Sequence, residues 1–98
     1  MGLFGSKKEE PKMTVQELFG TDCLEEIKAV IGPKYAANGY PKKYMDFAGV
    51  ILEAADHPDR ECTKKEFGTC IFAAGCFTKL EPELEPMLTA AIKKYKKM

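Results

Sequence analysis

Residues 67–78 read FGTCIFAAGCFT, a run in which no side chain carries a charge and no proline intervenes. A helix built on that run has no face fit for water, so it must be buried nearly all round. That requirement predicts a bundle, with this helix at its centre and other helices against it. Two glycines, Gly68 and Gly75, lie seven apart and therefore on nearly the same face. Each costs about 1 kcal/mol of helix stability relative to alanine, a loss that implies a packing need. Their face, with Phe72 beside it, is a candidate surface for close helix packing or self-association.

Immediately before the run, Thr63 and Glu66 have the spacing of a capping box, with Cys62 and Phe67 at the two staple positions. The helix therefore spans about 64–78. Upstream, HPDRE (57–61) reads as a loop, and Tyr44, Phe47, Ala48, Ile51, Leu52 and Ala55 recur at helical spacing behind Pro41, predicting a helix over about 41–56. Downstream, Pro82 opens a helix to about 97 with Leu84, Met87, Leu88, Ala91, Ile92 and Tyr95 as its apolar stripe; Pro86 offers a second start near Glu85.

At the front, Thr14 and Glu17 form another capping box, stapled by Met13 and Leu18, and Gly20 closes this single helical turn near 15–19. A helix over about 22–31 follows, carrying Leu24, Ile27, Val30 and Ile31, and Gly32-Pro33 is read as its stop. Asn38-Gly39 stands between helical patterns and reads as a helix end rather than a hairpin. No sustained period-two alternation appears. The predicted fold is all-α, four main helices with a leading turn in one domain over 13–98, preceded by a flexible arm over 1–12.

Lysine plus arginine balance aspartate plus glutamate at 15 each, so the overall charge gives nucleic acid no purchase. No apolar run approaches the length of a membrane span and no signal-peptide core opens the chain, which predicts a cytoplasmic protein. Cys23, Cys62, Cys70 and Cys76 include no C-x-x-C pair, so free thiols are expected and no metal. A calcium loop begun at Asp56 fails, with Glu61 where glycine is required and Phe67 at the twelfth position. No cofactor motif is present.

Two further stretches invite functional readings. KYAANGYPKKY (34–44) sets Tyr35, Tyr40 and Tyr44 among Lys34, Lys42 and Lys43, a combination able to hold an acidic partner. Lys42 and Lys43 also stand at the positive end of their helix, and Glu53 and Asp56 at its negative end, against the helix dipole. The start, MGLFGSKKEE, fits the N-myristoylation pattern at Gly2 and would permit a lipid-anchored adaptor. His57 near Asp56, Asp59, Glu61 and Cys62 is the one place for a small thiol-dependent enzyme.

GTDCLEEI (20–27) resembles the Gly-x-Asp-Ser-Leu segment of acyl carrier proteins, also small helical bundles. Cys23 stands where that family's phosphopantetheine serine would be, so the prosthetic group has no attachment point here. The segment also comes too early for that family's helix order. The leading expectation is a non-catalytic helical interaction module that binds another protein or a second copy of itself.

Overall fold

The structure, a computed structural model, describes residues 11–98. A short strand β1 (Lys12–Thr14) leads into α1 (Val15–Phe19) and α2 (Thr21–Ala36). Then come α3 (Lys42–Ala55), a second strand β2 (Glu61–Thr63), α4 (Lys64–Leu80), a 3-10 turn (Pro82–Leu84) and α5 (Glu85–Lys96). The helices pack in chain order around a ring that α5 closes by packing on α1. Leu18, Ile27, Ile31, Ile51, Phe67, Phe77, Leu84 and Leu88 fill its centre in one continuous core. The predicted all-α bundle is what forms, and among the described residues no helix is long and apolar enough to cross a membrane.

Both capping boxes are made. Thr14 Oγ1 accepts from the Glu17 amide at 3.0 Å while the Glu17 carboxylate accepts from the Thr14 amide at 2.8 Å. Thr63 and Glu66 repeat this at 3.2 and 2.7 Å. Each box satisfies two amides that a helix start leaves without partners. Changing either threonine to alanine should lower stability by about 1 kcal/mol, read as a shift in the denaturant midpoint with unchanged slope.

A strand pair with no signature in the sequence joins these two boxes. The residues just before them pair as a two-stranded antiparallel ladder, Lys12 with Thr63, Met13 with Cys62 and Thr14 with Glu61. The loop ahead of β2 completes the join, because the carbonyls of Arg60 and Pro58 accept the first two amides of α1 at 3.0 and 2.9 Å. Lys12, assigned to the flexible arm, is thus the first ladder residue, while the rest of that arm up to residue 10 lies outside the described residues.

Gly32-Pro33 does not stop the helix predicted over 22–31; α2 runs through both to Ala36. A proline normally disfavours helical backbone in its predecessor by crowding that residue's Cβ, and Gly32 has none. The stop comes at Asn38-Gly39, as read, where Asn38 takes a left-handed φ of 55°. The amides of Gly39 and Asn38 then fold back on the carbonyls of Lys34 and Tyr35 at 2.7 and 3.1 Å. Gly20 provides the other sharp corner, with φ of 89° between α1 and α2.

Smaller departures have local causes. Pro41 is the cap residue rather than the first helical one, its ψ of 151° being extended. The α-helical part of the last helix begins at Glu85, the later of the two starts that the prolines allowed, because Pro82 first makes a 3-10 turn.

Candidate functional site

The helix that contains the uncharged run 67–78, α4, is not buried all round. It packs between α3 and α5, and its outward stripe stays open: Phe72 is 63% exposed. One edge of the Phe72 ring meets Phe47 of α3 with centroids 5.3 Å apart, and the remainder faces outward. Beside it lies an open depression of about 410 Å³ lined by Tyr44, Ile71, Phe72, Gly75, Cys76, Lys79 and Ile92. Side chains of α3, α4 and α5 all reach it, so the bundle's packing positions the site.

The two glycines behave differently from one another. A methyl group added at Gly75 would meet nothing within 4 Å, and one added at Gly68 would meet only the Tyr95 hydroxyl at 3.7 Å. The close backbone approach inferred for them is therefore not made among the described residues. Gly75 instead lowers the floor of the depression, and at Gly68 a methyl group would make ordinary contact with the α5 tyrosine.

The Tyr/Lys cluster is divided by the fold. Tyr40 is committed to structure: its hydroxyl donates to Glu81 Oε2 at 2.6 Å, and its ring meets Phe77 edge-on at 5.2 Å. Glu81 is 5% exposed and also takes both contacts of Lys34 Nζ, at 2.8 and 3.2 Å. A buried carboxylate is tolerable only with such partners, and this one ties the end of α2 and the turn after it to the end of α4. Burial first, then the hydrogen bond and negative charge of Glu81, push the Tyr40 phenol well above its ordinary pKa. Tyr35 sits at the end of α2 with its hydroxyl facing the open side of Gly49 in α3, away from the depression.

Tyr44 alone of the three tyrosines joins the depression, where Lys43 Nζ lies 5.5 Å from its ring centre. Lys42 is exposed in the same first turn. A minority of one candidate site and most of the other thus meet: Tyr44, with Lys43 against its ring, from the first, Phe72 and Gly75 from the second. Cys76, Lys79 and Ile92 belong with them, and helical spacing from Phe72 could have found Cys76 and Lys79.

The acidic end of α3 has a local explanation. Arg60 donates twice to the Glu53 carboxylate, at 3.0 and 3.2 Å, with His57 Nε2 a further 3.9 Å contact. Arg60 holds the Glu53 carboxyl below its ordinary range. His57 is therefore turned to Glu53, not paired with Cys62, and burial pushes the Cys62 thiol up. A thiol nucleophile at neutral pH requires the opposite shift.

The capping box also tests the α3–α4 loop for calcium in a second frame, with Glu66 as twelfth residue and Ala55 as first. The first position then offers no side-chain oxygen, Arg60 occupies the glycine position, and the Glu66 carboxylate is engaged at the Thr63 amide at 2.7 Å. Among the described residues no cluster of three or more histidine, cysteine, aspartate or glutamate side chains is placed to hold a metal ion. Gly2, the lipidation candidate, lies outside the described residues.

Fold and site together define a class: a small ring of helices clasped by a strand pair and opened by an apolar depression on one face. Compared with protein-family models, curated proteins and solved structures, the chain matches none.

Proposed function

We propose that the protein is a small helical interaction module that binds another protein through the outward face of α4. The observation that carries this reading is Phe72, a large ring 63% exposed within the longest uncharged stretch of the chain. Exposing it costs solubility and gains nothing in the core, whereas at an interface a rigid aromatic beside a depression is the type of residue that dominates affinity. The Gly75 floor supports the same reading, since it leaves room that no part of the bundle fills.

Panning a displayed peptide library against the protein tests it. Selected peptides should lose about tenfold in affinity, or 1.4 kcal/mol, on Phe72→Asp, while the thermal midpoint stays within a few degrees. Selected peptides indifferent to that change would place binding elsewhere and end the reading.

A further inference from the structure

The geometry points to the chemistry of the partner: an amphipathic helix whose apolar anchors are flanked by carboxylates. The inference rests on the proposed α4 interaction face and adds the sign of charge that the occupant must carry. None of the residues lining the depression is acidic, and Lys79 is among them. On the α3 side, Lys43 stands over the Tyr44 ring that forms one wall. Along α4, the open stripe begins at exposed Lys65 and ends at exposed Lys79, with Phe72 midway between them.

That stripe is about 21 Å long at 1.5 Å per residue, the span of a four-turn helix laid against it. The one acid along α4, Glu66, keeps its charge but lies about 100° round the helix from Lys65, with its carboxylate drawn back to the Thr63 amide. An incoming helix therefore meets an apolar centre with ammonium groups at its margins. Carboxylates there gain attraction, and lysines would be repelled at each end. A second copy presenting the same stripe would bring lysines toward lysines, which disfavours self-association about this face.

Two synthetic peptides decide the matter, each about 18 residues long, with leucines at i, i+3 and i+7 and flanks of glutamate in one and lysine in the other. Anisotropy of labelled peptide titrated with the full chain at about 50 mM salt should show the glutamate peptide binding at least about tenfold tighter. The double variant Lys43→Glu with Lys79→Glu should reverse the order, and Phe72→Ala should weaken the glutamate peptide by about tenfold.

If both peptides bind alike and both respond to Phe72→Ala, the charge inference is overturned while the α4 face stands. If neither binds, or binding ignores Phe72, the interaction face itself fails and the inference falls with it. A mass that rises with protein concentration and returns to monomer on Phe72→Ala would make a second copy the occupant and overturn the acidic helix.

Discussion

Phe77→Ala should remove about 3–5 kcal/mol of stability, enough to leave a protein of this size largely unfolded near its working temperature. Phe77 is fully buried, and its ring contacts those of Tyr40 and Tyr44 edge-on, at 5.2 and 6.2 Å between centroids. Truncation would therefore empty a cavity at the junction of the α2–α3 turn, α3 and α4. It would also strip the Tyr40 ring of the contact that aims its hydroxyl at Glu81. Phe72→Ala, five residues earlier in the same helix, should cost under about 1 kcal/mol, because little of that ring leaves water on folding. Urea titration of the two variants checks the contrast; equal losses would mean that the exposed ring is packed.

The second large effect is alkaline unfolding. Burial raises the Cys23 and Cys70 thiols from an ordinary 9.0 to about 11, and Tyr40 is raised as well. In each case the folded state favours the protonated form. The contribution to stability is complete below the unfolded-state value and is lost as pH climbs from there through the folded-state value. Stability should thus hold up to about pH 9 and then fall by about 2 to 3 kcal/mol per thiol as pH 11 is reached, with Tyr40 extending the loss beyond pH 10. Thermal midpoints measured from pH 7 to 11 test this, with the double variant Cys23→Ala and Cys70→Ala flattening the interval between 9 and 11. A descent that the double variant leaves unchanged would assign the loss to other groups.

Which parts of this fold could be read in advance follows from how far apart the deciding residues lie. Thr14 with Glu17 and Thr63 with Glu66 are three residues apart, so each helix start is encoded locally and both were legible. The helix end at Asn38-Gly39 was legible for the same reason, whereas Gly32-Pro33 does not stop α2, the glycine having no Cβ to add to the crowding that proline imposes on its predecessor. The strand ladder left no trace, since Lys-Met-Thr and Glu-Cys-Thr are too short to show alternation and are paired across most of the bundle. Glu81 gave no sign of being buried, because its partners Lys34 and Tyr40 are 47 and 41 residues away.

The candidate site follows the same division. Phe72, Gly75, Lys43 and Tyr44 could be singled out from composition and helical spacing within their own segments. That they belong to one depression, and that Tyr35 and Tyr40 do not, depends on how α3 packs on α4. Composition alone made α4 a helix buried on every side; five helices in a ring cover only its inner faces and two flanks.

The ladder between the two capped helices also bears on the order of events as the chain folds. Met13 and Cys62 are brought together only by closing about fifty residues of chain, an entropy loss that neighbouring helix pairs such as α4 and α5 avoid. Local helix pairs can therefore assemble first, each started by its own cap, and the clasp shuts once α2 and α3 have turned back on one another. Until that moment the starts of α1 and α4 are free of each other, and a segment emerging early in synthesis must wait for its partner strand to be made.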